Sequence, residues 1–330
     1  MRRGSIVVVT GASAGIGRAT AKAFAREGAR VALLARGLQG LEGARREVQE
    51  AGGQAMVLPT DVADEAQVQA AAARIEREWG PIEVWVNNAM ATLYAPSDSI
   101  SPDDWRRATD VSYLGAVWGT LAALRYMKPR NRGVIVQVGS ALAYRSIPLQ
   151  APYCGAKAAL RAFTDALRSE LIHERSGVAL TMVNLSAFNT PQFDWGRTTL
   201  THQPQPLPPI FQPELAARAI VRASQRPRRE YTVGWPAVQA MLGQKLLPAY
   251  LDRRLARQAY AGQQTDRPLP PDRQDNLYQP VPGDHGAHGR FDDRARGWSV
   301  QWWLNVRRWL LLPAFLLALL VLAWVLVALQ

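Results

Sequence analysis

A strand, a glycine-rich turn and a helix follow one another at the start of the chain, and this order constrains the fold more than any other feature. Residues 6–9 form the β-branched run IVVV, which predicts a strand, and residues 18–27 have a helical pattern that stops at Gly28. Between them lies TGASAGIG, residues 10–17. This arrangement is typical of a dinucleotide cradle, in which the phosphates lie at the amino end of the helix.

Each glycine of the turn has a predicted task. Gly11 allows the tight turn, Gly15 lets the backbone approach a pyrophosphate, and Gly17 allows the helix to pack closely. A glycine-rich turn that holds no ligand is the alternative. The candidate cofactor-binding residues of this segment are Thr10, Gly11, Ser13, Gly15, Ile16 and Gly17.

The end of the second strand indicates which dinucleotide binds. The apolar run 31–35 ends at Arg36, where a fold that prefers NAD would carry Asp or Glu to hold the ribose 2′-hydroxyl. An arginine suits a 2′-phosphate instead, so we predict NADP(H) as the cofactor. Arg18 could help to bind this phosphate, although a solvated helix arginine is the simpler interpretation.

Two further apolar runs end in short polar residues that could complete the cofactor pocket. One run leads to Asp61 and Val62, and the next leads to Asn88 and Ala89. Such side chains can hydrogen-bond an adenine amino group or the backbone of a neighbouring strand. Each could equally be a helix cap or a turn residue.

Ser140, Tyr153 and Lys157 are candidate catalytic residues. Ser140 follows the apolar run 134–138, which predicts a position at the carboxyl end of a strand, where open α/β sheets bind ligands. Tyr153 and Lys157 are four residues apart in a helical segment and share one helix face. An ammonium about 4 Å from the phenolate would lower the tyrosine pKa by up to about 3 units. Tyr153 could then protonate a carbonyl oxygen that Ser140 stabilises, although Tyr-x-x-x-Lys also occurs in helices by chance.

Together these motifs resemble the short-chain dehydrogenase/reductase family. The resemblance covers residues 4–235 and rests on TGASAGIG, Asp61-Val62, Asn87-Asn88-Ala89, Ser140, Tyr153 and Lys157. It implies an α/β domain with a doubly wound Rossmann fold and a mainly parallel, seven-stranded sheet. It also implies that Tyr153 is the acid/base, that Lys157 binds the nicotinamide ribose and tunes the tyrosine, and that Ser140 orients the substrate. By the same resemblance Thr190 contacts the nicotinamide carboxamide.

Three positions depart from the family's pattern. Asp110 stands where the family usually has a catalytic asparagine that anchors a water in a proton relay to the lysine. A carboxylate could also accept from such a water, so Asp110 is a further candidate catalytic residue. Met90 replaces a usual glycine and would narrow the pocket, and Leu185-Ser186 replaces a typical Pro-Gly.

Two segments after the sixth predicted strand bear on the substrate. Residues 189–213 are rich in proline and in large apolar side chains, as in the substrate lids of the resembled family, and this predicts a lipophilic substrate; a loop that only packs on the body is the alternative. Residues 236–260 have an amphipathic helical pattern. They would pack on the body or on a partner subunit, or lie at an anionic membrane surface.

The carboxyl-terminal part changes character twice. Residues 263–297 are polar and rich in proline and glycine, which predicts a flexible linker that buries no core. Residues 310–329 carry no charge, and a helix of that length spans about 30 Å, the thickness of a bilayer core. Tryptophans and two arginines precede this span, which predicts a single-pass tail anchor with the catalytic domain in the cytoplasm. The predicted division is therefore a catalytic domain, 1–262, a linker, 263–297, and a juxtamembrane and transmembrane segment, 298–330.

The net charge of +12 is compatible with cofactor phosphates and anionic lipids, and no basic and aromatic platform for nucleic acid is present in the sequence. The single cysteine, Cys154, excludes an intrachain disulfide. His285 and His288 lack convincing partner ligands, so we expect no metal site. We predict an NADP(H)-dependent oxidoreductase that acts on a carbonyl or secondary alcohol of a lipophilic substrate, in contact with membrane lipids. The resemblance implies a homo-oligomer. A membrane-tethered NADP(H) sensor or scaffold with weakened catalysis, suggested by Asp110, is the alternative.

Overall fold

The strands of the fold are short runs of β-branched and other apolar residues that alternate with amphipathic helices along the chain. The computed structural model describes residues 2–307. The strands are β1 (Ile6–Thr10), β2 (Arg30–Ala35), β3 (Gln54–Pro59), β4 (Ile82–Asn87), β5 (Leu93–Tyr94), β6 (Gly133–Ser140), β7 (Val178–Leu185), β8 (Ala187–Phe188), β9 (Arg197–Thr198), β10 (His202–Pro204), β11 (Ile210–Phe211), β12 (Glu230–Val233), β13 (Gln264–Pro268) and β14 (Ala295–Arg296).

Helices connect these strands and cover the sheet. They are α1 (Gly15–Arg26), α2 (Leu38–Glu50), α3 (Glu65–Glu78), α4 (Pro102–Thr109), α5 (Gly115–Met127), α6 (Ala151–His173), α7 (Gln192–Trp195), α8 (Pro213–Gln225), α9 (Trp235–Leu246), α10 (Pro248–Gly262) and α11 (Val300–Val306). A π-helical segment, Asp110–Leu114, joins α4 to α5.

Seven strands form one sheet in the order β3-β2-β1-β4-β6-β7-β12, and all neighbours are parallel. Alternate side chains enter different apolar layers: Val7 and Val9 face the cluster that contains α1, α2 and α8, whereas Ile6 and Val8 face α3, α5 and α6. The predicted Rossmann-like α/β fold with a seven-stranded parallel sheet is confirmed. The strand order reverses between β1 and β4, which opens a crevice at their carboxyl ends.

The predicted lid is built into small sheets rather than lying loose on the surface. β9 pairs with β5, β10 pairs with β13, and β11 lies between β8 and β14. The predicted amphipathic segment 236–260 forms two helices instead of one. Its break falls at Leu247, because Pro248 disfavours the helical conformation in the residue before it.

Residues 263–297 differ from the predicted linker. They contain β13 and β14. Two of their apolar side chains are buried: Leu277 is fully buried and Phe291 is 3% exposed. The polar composition of this segment predicts less packing than the structure shows. Two buried apolar side chains, Leu277 and Phe291, and several backbone hydrogen bonds hold it in place. Residues 263–297 therefore lie against the catalytic body.

Within residues 2–307, no helix combines the length and the apolar character that crossing a bilayer requires. The predicted span, residues 310–329, lies outside the described residues. Of the tryptophans predicted to lie at a membrane surface, Trp302 is buried against Tyr231, with ring centroids 5.9 Å apart, whereas Trp298 and Trp303 are exposed.

Candidate functional site

A cavity of about 750 Å³ lies at the carboxyl ends of the central strands, a size and position typical of cofactor and substrate sites. It extends from the glycine turn, past the end of β6, to helices α9 and α10. Most of the predicted cofactor residues line it. These are Gly11, Ser13, Gly15, Ile16, Arg36, Asp61, Val62, Asn88, Ala89, Tyr153, Lys157 and Thr190.

The glycine turn has the backbone that its sequence predicts. Gly11 and Gly15 adopt φ angles of 67° and 58°, which side-chain-bearing residues rarely adopt. A Cβ on Gly17 would lie 2.5 Å from Nδ2 of Asn88 and closer still to the carbonyl oxygen of Gly11. Gly17 therefore serves helix packing behind the cavity wall, while Ser13 and Ile16 face the cavity.

Thr10 and Asn88 join the glycine turn to the end of β4. The Thr10 hydroxyl donates to the carbonyl of Val86 at 3.3 Å and accepts from the amides of Asn88 and Ala89, both at 3.0 Å. The side-chain nitrogen of Asn88, Nδ2, donates to the backbone carbonyl of Thr10 at 2.9 Å. These bonds engage the Thr10 side chain fully, so this predicted cofactor residue supports the turn from behind.

Charged residues surround the end of the cavity beyond β2 and β3. Asp61 pairs with Arg107 at 2.6 Å and also accepts from the amide of Ala63 at 3.0 Å. Arg36 lies beside this pair at the cavity wall and donates to backbone carbonyls of the segment after β13, among them Tyr278 at 2.8 Å. Arg18 points elsewhere, because it is buried and paired with Glu47.

Ser140, Tyr153 and Lys157 meet at the centre of the cavity. Ser140 ends β6 as predicted, and its Oγ accepts from the amide of Leu142 at 3.1 Å. The Ser140 side chain also forms a hydrogen bond with the Tyr153 hydroxyl. Tyr153 and Lys157 lie one turn apart on α6, and Lys157 Nζ is 5.7 Å from the centre of the tyrosine ring. Lys157 Nζ donates to the carbonyl of Val138 at 2.7 Å.

The expected lowering of the tyrosine pKa is not found. Burial raises the pKa of Tyr153 to about 12, and its interaction with Ser140 opposes this only in part. Burial also lowers the pKa of Lys157 to about 8, because a buried ammonium loses its hydration. The lysine therefore titrates close to neutral pH and has no carboxylate partner among residues 2–307.

The low pKa of Lys157 predicts a pH-dependent stability. Between pH 8 and 10 the unfolded chain binds a proton at this lysine that the native protein does not, so its contribution to stability rises with pH. We expect the free energy of unfolding of the wild type, relative to Lys157→Met, to increase by about 2 kcal/mol over this interval. Urea unfolding of both proteins at the two pH values measures it. A constant difference would contradict the burial of the charge.

Asp110 does not line the cavity. It begins the π-helical segment, and the next residue, Val111, reaches the cavity wall. No hydrogen bond or ion pair joins Asp110 to Lys157 in the described part of the chain. Such π-helical turns often mark functional sites, and Asp110, the predicted counterpart of the family's asparagine, begins this one.

The opposite end of the cavity is largely apolar. The predicted lid contributes Phe193, Trp195 and Leu207, and α10 contributes Leu251 and Leu255. Thr190 also lines the cavity and lies beside Gly15, where a Cβ would be 3.3 Å from the Thr190 Cγ2. Of the three family departures, Met90 and Leu185-Ser186 also line the wall.

Sequence reasoning missed one whole wall of the cavity. Asn276, Pro280, Val281, Gly283 and His285, all from the predicted linker, face it. The only signal was Leu277, an apolar residue among polar neighbours. A cluster of three or more His, Cys, Asp or Glu side chains that could hold a metal is absent from residues 2–307.

Comparison with known proteins agrees with this geometry. A family model described as short chain dehydrogenase matches residues 5–198. The chain is 33% identical over 283 residues to a Bacillus subtilis protein named uncharacterized oxidoreductase YxnA. This alignment covers 85% of this chain and 79% of YxnA. It is 37% identical over 170 residues to human dehydrogenase/reductase SDR family member 7, which covers 50% of each chain.

A solved structure is also similar. An alcohol dehydrogenase from the archaeon Thermococcus sibiricus, complexed with 5-hydroxy-NADP, superposes with a TM-score of 0.60 and 26% identity, over 69% of this chain and 94% of that one. The match of the family model, the long alignment to YxnA and the parallel sheet agree with one another. This protein is an oxidoreductase and belongs to the short-chain dehydrogenase/reductase family.

Proposed function

We propose that this protein transfers a hydride between NADP(H) and a carbonyl or secondary alcohol of a lipophilic substrate. The observation that carries the proposal is the continuity of one cavity, which joins the glycine turn, Arg36, the Ser140-Tyr153-Lys157 group and an apolar end. The similar Thermococcus sibiricus enzyme was solved with 5-hydroxy-NADP, which supports a nicotinamide cofactor.

The residues present fit a dinucleotide. Ser13, Gly15 and Ile16 surround the amino end of α1, where the helix dipole favours phosphate. Arg36 lies near the expected adenosine ribose and supplies positive charge for a 2′-phosphate. Lys157 and Thr190 lie at the nicotinamide end. When bound, the cofactor supplies or accepts the hydride.

The protein's own part in the reaction is proton transfer and charge stabilisation. Tyr153 donates its phenolic proton to the substrate oxygen during reduction and recovers it from solvent afterwards. Ser140 donates a hydrogen bond to the same oxygen and stabilises the negative charge that develops on it, while its Oγ accepts from the Leu142 amide. The pKa of about 12 makes Tyr153 fully protonated at neutral pH, as a proton donor requires, and positive charge from Lys157 stabilises the phenolate that remains.

The apolar end of the cavity favours substrates with a long hydrocarbon part. Phe188 and Phe193 face it from the lid side, and Ile147 and Leu255 face it from the other. Each methylene that is buried contributes about 0.8 kcal/mol, or roughly a fourfold gain in kcat/KM. We therefore expect kcat/KM for NADPH-dependent reduction of methyl ketones to rise with chain length until the pocket is full. The loss of nicotinamide absorbance measures it on the full-length chain, and a flat or falling series would contradict the lipophilic substrate.

The same assay with NADH tests the choice of coenzyme. Both terminal nitrogens of Arg36 donate to backbone carbonyls, so this residue would act on a 2′-phosphate through its positive charge. We expect Arg36→Ala to lower the preference for NADPH over NADH by about tenfold. Arg45→Ala is the matched control, because Arg45 is an exposed arginine of α2 whose one ion pair within residues 2–307 is with Glu42, one turn away. An unchanged preference in Arg36→Ala would contradict NADP(H) recognition by this residue.

A further inference from the structure

Residues 276–289, which we call the strap, cross the open side of the cofactor cleft from end to end. They contact the end of β2 first, then the start of α2, then the amino end of α1, and finally Asn189 near Thr190. This path follows the direction that a dinucleotide would take from its adenosine to its nicotinamide.

The first part of the strap is fixed at the adenosine end. Arg36 donates to the carbonyls of Asn276, Leu277 and Tyr278, and its bonds to the last two measure 3.2 and 2.8 Å. Arg107, the partner of Asp61, donates to the same Leu277 carbonyl at 3.0 Å. Leu277 itself is fully buried in the core. The two arginines therefore connect the strap to the residues that we assign to the adenosine site.

The second part of the strap is fixed at the phosphate end. The Gly286 carbonyl accepts from the Gly15 amide at 3.1 Å, at the first residue of α1. Asp284 forms an ion pair with the buried Arg18, and its second oxygen lies 3.4 Å from Arg46. This carboxylate fits over Gly43, where a Cβ would lie 2.7 Å from its Oδ1. Asp284 is the main charged contact that holds this half of the strap.

The strap encloses the cleft without filling it. The cavity retains about 750 Å³, and Asn276, Pro280 and Gly283 form part of its wall. Gly11, Ser13 and Ile16 of the glycine turn remain in the lining of this cavity beside the strap. The observations therefore favour coexistence of strap and dinucleotide.

We propose that the strap retains the bound dinucleotide, so that NADP(H) leaves only after the strap detaches from Arg18 and Arg36. This inference rests on the proposed function, because it takes the ligand of the cleft to be NADP(H). Asp284 is then a positioning residue for the strap. Its role concerns cofactor release and not the chemistry at Tyr153.

The first test is the release of NADPH from the full-length protein. NADPH fluorescence is followed after the complex is mixed with excess NADP⁺, which needs no substrate. Asp284→Asn keeps the shape of the side chain and removes its charge, and we expect it to speed release about tenfold. Asp293→Asn is the matched control, because Asp293 is exposed and forms no ion pair within residues 2–307.

A cross-link provides a second test that does not depend on the stability of the Asp284 variant. A Cβ on Gly37 would lie 3.4 Å from Cβ of Pro280, close to the spacing in a disulfide. Gly37→Cys with Pro280→Cys, oxidised after NADPH is bound, is expected to slow release at least tenfold. Reduction of the same sample should restore the original rate, and the buried Cys154 remains outside the reaction.

The outcomes separate the two proposals. Equal release in the oxidised and reduced cross-linked protein would overturn the strap, as would a release rate that Asp284→Asn leaves unchanged. If Asp284→Asn binds NADPH faster than the wild type but releases it at the same rate, the strap competes with the cofactor instead of retaining it. Failure of the wild type to bind NADPH would overturn the coenzyme assignment together with the strap.

Discussion

Tyr153→Phe is expected to lower kcat/KM for ketone reduction by about 10²–10⁴ while NADPH binding stays within twofold of the wild type. The range is the usual contribution of a positioned acid or base. The Tyr153 phenol lies in the cavity beside Ser140 and can donate a proton, whereas Phe keeps the ring and lacks the hydroxyl. Steady-state NADPH oxidation and fluorescence titration measure the two quantities.

Tyr126→Phe is the control for this prediction. Tyr126 is a half-buried tyrosine of α5 outside the cavity lining, so the loss of its hydroxyl should leave kcat/KM unchanged. A Tyr153→Phe protein with more than a tenth of wild-type activity would rule out the phenol as the proton donor. A wild type that binds NADPH tightly but reduces no ketone would favour the sensor or scaffold function.

Gly17→Ala is expected to destabilise the protein by about 3 kcal/mol, although alanine normally stabilises a helix by about 1 kcal/mol relative to glycine. The added methyl would overlap the Gly11 carbonyl and approach Nδ2 of Asn88 to 2.5 Å. Asn88 cannot easily withdraw, because the same nitrogen donates to Thr10. The midpoint of urea unfolding, with an unchanged slope, measures the effect.

Gly155→Ala is the matched control within another helix. Gly155 lies in the first half of α6, and a Cβ there would have no atom within 4 Å. We expect this change to stabilise the protein by about 0.5–1 kcal/mol. Equal changes in the free energy of unfolding for the two substitutions would mean that the close approach of α1 to the glycine turn does not affect stability.

Local patterns were sufficient to predict the sheet and the positions of the reactive groups. The strand before Ser140 and the one-turn spacing of Tyr153 and Lys157 depend on neighbouring residues and agree with the structure. The pKa of Tyr153 could not be predicted from local sequence patterns. It depends on burial by residues far apart in the chain, and this burial outweighs the nearby lysine.

The strap could not be predicted from composition. Its attachment uses backbone carbonyls, which every residue possesses, and the arginines that bind them lie some 170 to 240 positions earlier. Few residues of the strap are apolar, and within 276–289 Leu277 alone is buried. A polar, proline-rich sequence can therefore be ordered when another part of the fold supplies buried donors.

Helix α11 has a consequence for how molecules of this protein can associate. It lies beside β12, the edge strand of the sheet; Gln301 donates to the Thr232 carbonyl at 2.9 Å and accepts from the Gly234 amide at 2.9 Å. Asn305 donates to the same Thr232 carbonyl at 3.3 Å. Side-chain amides thus occupy backbone groups that an incoming strand would need. An incoming strand could pair with Thr232 and Gly234 only after α11 moved away from this edge.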